Sequence, residues 1–155
     1  AASDVYKRQI LSYAEEKGIN PDRIIYSKRY RMNNYLNRLK VADLFLDTFP
    51  VTAHTTASDA LWVGLPVLTL AGKSIVSRVA GSLLTNINMK ELITYNYDDY
   101  KNMALKLSND KKFYNDLRSK LQKERLSSPL FNTKQYTKDL ESIYNKLYKN
   151  FKSSF

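Results

Sequence analysis

The chain has 155 residues, 43% of them hydrophobic and 12% aromatic, a globular composition rather than a disordered one. With no cysteine and one histidine, His54, it can build neither a disulfide framework nor a thiolate metal site, so no metal is expected. No apolar run reaches the roughly 20 residues of a membrane span or forms a signal-peptide core, and the formal charge of +10 is concentrated in residues 101–155, where 13 Lys/Arg face 5 Asp/Glu against 12 and 10 in residues 1–100.

In chain order, residues 5–18 carry apolar side chains at helical spacing and stop at Gly18, a helix C-terminal signal. A turn at Pro21-Asp22 leads into "RIIYS" (23–27), which reads as a short strand. Residues 31–41 read as a helix with Leu36, Leu39 and Val41 inward. "ADLFLDT" (42–48) is a short apolar run bounded by turn signals, hence a buried strand over 43–48. A helix then runs through Trp62, assigned to the core, to the turn "GLP", and "PVLTL" (66–70) is a second buried strand. Helix is expected from Ser74 to about Leu84, a further strand near Leu92–Thr94, and two helices over 98–125 broken near "SNDKK". "SSPLFN" is a break, and Thr133 to about Phe151 forms a long final helix.

Strands alternating with helices predict parallel βαβ units and an α/β fold. Three or four strands are few for a covered parallel sheet. The chain therefore reads as one partial domain, residues 1–155, belonging to something larger. The lysines of the basic half sit at helical spacing without arginine clusters or aromatic stacking positions. A solvated helix face explains them, and a nucleic-acid partner is not expected.

The chemistry concentrates in "AHTTASDALW" (53–62), where His54, Thr55, Thr56 and Asp59 follow a strand and open a helix. Ligands of open α/β sheets bind beyond the carboxyl ends of the strands, and a helix N-terminus offers free amides and the positive end of a dipole to an anion. Small neighbours let a phosphate approach the backbone. Asp59, one turn on, would repel phosphate but can accept bonds from ribose hydroxyls. Thr56-Ala57-Ser58-Asp59 also matches a capping box, with Thr56 as cap. Cap and cradle are compatible, and both stay open. No nucleophile–base signature surrounds His54. "AGKS" (71–74) ends like a phosphate-binding loop, but Val67 stands where that motif needs glycine.

The stretch 42–84, together with "RLSSPLFNTKQYTKDLESIY" (125–144) and "DRIIYS" (22–27), closely resembles the C-terminal catalytic half of O-GlcNAc transferases and their bacterial relatives. The resemblance implies a GT-B fold, of which this chain is the C-terminal Rossmann-like lobe. It would be an incomplete parallel sheet with helices on both faces and a long C-terminal helix, its first strands and the N-terminal lobe lying elsewhere in the same polypeptide. It implies an inverting, metal-independent enzyme without cofactor, moving N-acetylglucosamine or another hexose from a UDP-sugar to Ser or Thr of a protein or peptide acceptor; a cytoplasmic location is the default expectation from the lack of an apolar span or signal-peptide core. By the same resemblance His54, Thr55 and Thr56 cradle the diphosphate and Asp59 holds the ribose. Tyr35 stands where the family has a uracil-stacking histidine, and Met32 where some relatives have lysine. Arg38 matches an arginine near the base. The catalytic base is implied to lie outside this chain, which alone would be inactive. The rival readings are a non-catalytic nucleotide-binding module and a basic nucleic-acid binder.

Overall fold

The structure, a computed structural model, describes residues 2–28 and 30–153. They fall into two compact units, Ala1–Arg31 and Met32–Phe155. In the first, helix α1 (Ala2–Glu16) ends at Gly18, whose φ of 73° is the left-handed conformation that glycine adopts without a Cβ penalty. The Ile19 amide then reaches back to the Ala14 carbonyl at 2.9 Å, satisfying an orphan of the last turn. A 3₁₀ turn, Pro21–Arg23, follows with Asn20 capping the Asp22 amide at 2.9 Å.

Residues 23–27 are not a strand. Ile24 has extended backbone, but no ladder partner joins this segment among the described residues, and Ile25 is 88% exposed. Apolar, β-branched composition supplies a preference for extended backbone; a strand also needs a neighbour to bond to.

In the second unit, helix α2 (Met32–Leu39) precedes strand β1 (Phe45–Leu46). Leu36 and Leu39 are half-buried, while Val41 lies beyond the helix and is exposed. Helix α3 (Thr55–Val63) leads to strand β2 (Val67–Leu70). A 3₁₀ turn, Ile75–Ser77, and helix α4 (Val79–Asn86) replace the continuous helix expected from Ser74. Strand β3 (Ile93–Thr94), helices α5 (Tyr97–Asn109) and α6 (Lys111–Ser127), and the long helix α7 (Thr133–Lys152) complete the unit. Asn96, Asp110 and Asn132 cap α5, α6 and α7 through their side chains, the residue types that accept first-turn amides best.

The sheet is parallel in the order β1-β2-β3, with Phe45 opposite Val67 and Thr69 opposite Ile93. All four residues of β2 are buried. Successive side chains of a strand alternate between faces, so both faces of the central strand are covered. Leu61, Leu68, Leu84, Ile87, Met89, Leu92 and Leu121 form the fully buried centre. Trp62 departs from its core assignment: it is 49% exposed and meets Phe131 edge-on at 5.2 Å. Helix α7 leaves Tyr136, Ile143, Tyr144, Leu147, Tyr148 and Phe151 exposed.

Helix α3 stops at Gly64, with φ 83°, and a Cβ there would run into the side-chain amide of Gln122. Gly64→Ala combines left-handed strain with displacement of Gln122, and is expected to cost about 2 kcal/mol in denaturant unfolding.

Candidate functional site

The loop between β1 and α3 is tied down at several points. Asp47, 6% exposed, is its hub. One carboxylate oxygen accepts from the Thr48 amide at 2.9 Å and the Ala53 amide at 2.7 Å. The other accepts from the Thr69 hydroxyl of β2 at 2.7 Å. The Tyr100 hydroxyl of α5 donates to the Asp47 carbonyl at 2.8 Å. Thr52 donates through both its amide (3.0 Å) and its hydroxyl (2.8 Å) to the Val76 carbonyl. Asp47 was missed by sequence reasoning. The available signal was a carboxylate closing a buried apolar strand, just ahead of a loop rich in amides needing an acceptor.

This bracing fixes where α3 begins. His54 is its N-cap residue, with φ −106° and ψ −94°, and its side chain makes no capping bond. The first helical bond runs from the Ser58 amide to the His54 carbonyl at 3.1 Å. The capping box is therefore absent. Thr56 lies inside the first turn, too far along to cap, and Asp59 does not bond back. The amides of Thr55, Thr56 and Ala57 have no hydrogen-bond partner among the described residues, so the helix presents its orphan donors uncapped. Thr55 and Thr56 border a cavity of about 530 Å³ over the carboxyl end of β1, lined by Phe45 to Thr48 and Val51 to Thr56, within the usual range of small-molecule sites; Ala57, next along the turn, is buried. His54, Thr55 and Thr56 are exposed around it.

Asp59 lies four residues beyond Thr55, on the same face of α3, and turns toward α2. There it sits beside Tyr35, whose ring is covered by the Arg38 guanidinium at 5.6 Å. The Tyr35 hydroxyl is buried with no partner at hydrogen-bond geometry, so Asp59 acts on it as a nearby charge. Burial first, and Asp59 second, raise the phenol above its ordinary 10.0, while Arg38 works the other way. Burial, then the Asp47 charge, likewise raise Tyr100. The structure thus gathers Tyr35, Arg38 and Asp59 at one place and His54, Thr55 and Thr56 at another, joined by one turn of α3.

A raised folded-state phenol holds its proton more tightly than the unfolded chain does. Its stabilisation is intact below pH 10.0 and is lost as pH climbs through the folded value. Alkaline melts of wild type are expected to fall more steeply above that point than those of Tyr35→Phe, which also removes the unpartnered hydroxyl.

Among the described residues no group of three His, Asp or Glu side chains is placed to hold a metal ion, and no helix is long and apolar enough to cross a membrane.

The chain is 34% identical over 147 residues to a UDP-N-acetylglucosamine–peptide N-acetylglucosaminyltransferase of Caenorhabditis elegans, covering 95% of this chain and 13% of that protein. It is 34% identical to a probable enzyme of the same name, SEC, of Arabidopsis thaliana, covering 88% and 14%. Its fold superposes on an O-GlcNAc transferase mutant, K341M, of Thermobaculum terrenum with a TM-score of 0.85 and 27% identity, covering 94% of this chain and 28% of that one. The fold is that of a Rossmann-like lobe of a GT-B enzyme, and the chain spans about one-seventh of the length of these curated relatives. The model of glycosyl transferase family 41 matches residues 4–140, and the chain belongs to that family.

Proposed function

We propose that this chain is the UDP-sugar-binding part of an inverting, metal-independent protein glycosyltransferase. Its donor is UDP-N-acetylglucosamine or a related UDP-hexose, and its acceptor a Ser or Thr hydroxyl of a protein. The observation that carries the proposal is the uncapped start of α3, where His54, Thr55 and Thr56 line the cavity above β1.

When the acceptor oxygen attacks the anomeric carbon, the bond from that carbon to the diphosphate breaks and negative charge collects on the leaving phosphate. Preorganised amides and a helix dipole stabilise such charge where it develops. The Thr55 and Thr56 hydroxyls add donors, and the tethers at Asp47 and Thr52 hold the amides in place before the ligand arrives. Asp59 accepts from the ribose hydroxyls. The face of Tyr35 stacks on the uracil, with Arg38 beside it.

The remaining walls, including the base that takes the acceptor proton, come from the rest of a longer polypeptide. Two features of this chain support that. Strand β1 has no strand on its outer side among the described residues, with Leu46 54% exposed, whereas parallel sheets are normally covered. The apolar stripe of α7 is uncovered as well.

Assay of the whole protein with UDP-N-acetylglucosamine and a serine peptide tests the reading. Transfer by the whole protein, and UDP binding without turnover by this chain, are expected. Turnover by the isolated 155-residue chain would contradict the divided site. Failure of the whole protein to bind UDP would contradict the function.

A further inference from the structure

A second cavity, of about 630 Å³, lies between α4 and the edge strand β3, with Gly72, Ile75, Arg78, Ser82, Asn86 and Tyr95 among its walls. Gly72 follows β2 and Tyr95 follows β3, so the groove opens on the same carboxyl edge of the sheet as the cavity above β1. The 3₁₀ turn Ile75–Ser77 stands between the two. Ile75 lines the groove, while the Val76 carbonyl accepts both bonds from Thr52 of the other cavity.

The lining has a definite chemistry. Arg78 is its single charged residue, and no carboxylate faces it. Its backbone is fixed at the junction of the 3₁₀ turn and α4, yet its exposed guanidinium has no hydrogen-bond or ion-pair partner among the described residues. Ile75 and Tyr95 are 84% and 75% exposed. One arginine flanked by bare apolar and aromatic side chains is a composition enriched where polypeptides dock. A carboxylate can pair with one guanidinium in bidentate fashion. The eight residues of α4 span about 12 Å, room for roughly four residues of extended chain. Residues 71–86, which supply most of the lining, carry Lys73 and Arg78 and no acidic residue, a local charge that draws acidic partners.

We propose that this groove binds an acidic, extended stretch of the acceptor polypeptide, flanking the residue that receives the sugar, with Arg78 pairing to its carboxylate. The proposal rests on the glycosyltransferase reading for the meaning of the partner but not for its measurement. The whole protein is titrated, by fluorescence anisotropy, into a labelled serine peptide with flanking glutamates and an apolar residue. Arg78→Glu is expected to weaken binding about tenfold or more, the scale of a charge-assisted pair. Replacing the peptide's glutamates by lysines is expected to restore binding to Arg78→Glu, and Tyr95→Ala to weaken both peptides. UDP affinity is expected to stay at the wild-type value in Arg78→Glu. Equal binding of the acidic and lysine peptides by wild type, no loss in Arg78→Glu, or no peptide binding at all would each overturn the groove's assignment. Loss of UDP binding by the wild-type protein would instead count against the donor site and leave the anisotropy result standing.

Discussion

Thr56→Glu is expected to leave the chain as stable as wild type, or slightly more so, while UDP affinity falls by about two orders of magnitude. Thr56 is exposed in the first turn of α3 and makes no capping bond, so its replacement removes no packing. A carboxylate in that turn meets the positive end of the helix and gains about 0.3–1 kcal/mol. The same carboxylate stands against any phosphate at the Thr55–Ala57 amides. Two unit charges about 6 Å apart in an effective dielectric of about 20 repel by about 3 kcal/mol, a hundredfold in affinity. The opposed signs are the point of the variant. If this turn only starts a helix, stability rises and UDP is indifferent. If it holds the diphosphate, stability and affinity part company. Thermal melts and calorimetry with UDP on the same samples measure both.

Asp47→Ala is the second large effect, and it acts through the fold. The substitution strands the Thr48 and Ala53 amides and the Thr69 hydroxyl, the last on a fully buried residue. Buried donors without partners cost about 1–3 kcal/mol each, and solvent can relieve the more exposed Thr48 amide, so a loss of about 3 kcal/mol is expected. That is a large share of a typical domain's 5–15 kcal/mol. UDP affinity is expected to fall as well, because the Ala53 amide is the tether next to the start of α3. Asp47→Asn keeps one oxygen for the amides and turns its NH₂ toward the Thr69 oxygen, and is expected to cost only about 1 kcal/mol. Urea unfolding of the two variants separates loss of the network from loss of the charge.

The helices of this chain are legible from short-range chemistry. Gly18 and Gly64 end helices because of the left-handed turns they make, and the break at "SNDKK" falls at Asp110, the cap of α6. Features decided by distant partners are not legible in the same way. The segment 23–27 has strand composition but nothing to pair with. Thr56-Ala57-Ser58-Asp59 has the capping-box pattern, yet tethers from Thr69 and Val76 start the helix at Thr55, two residues early, and the box has no place to form. Asp47 draws its role from a hydroxyl 22 residues away. That His54, Thr55 and Thr56 stand at the start of a helix after a strand was readable from pattern alone. Tyr35 and Arg38 lie beside Asp59, a neighbourhood that spacing along the chain could not have supplied.

The central claim is that the amides opening α3 meet the diphosphate of UDP. Titrating the ¹⁵N-labelled chain with UDP and, separately, with uridine tests it most directly. With UDP, the amide resonances of Thr55, Thr56 and Ala57 are expected to move together and saturate; with uridine, which lacks the diphosphate, they are expected to stay in place. Equal shifts with both ligands, or saturable UDP binding that leaves these three amides unmoved, would contradict the account.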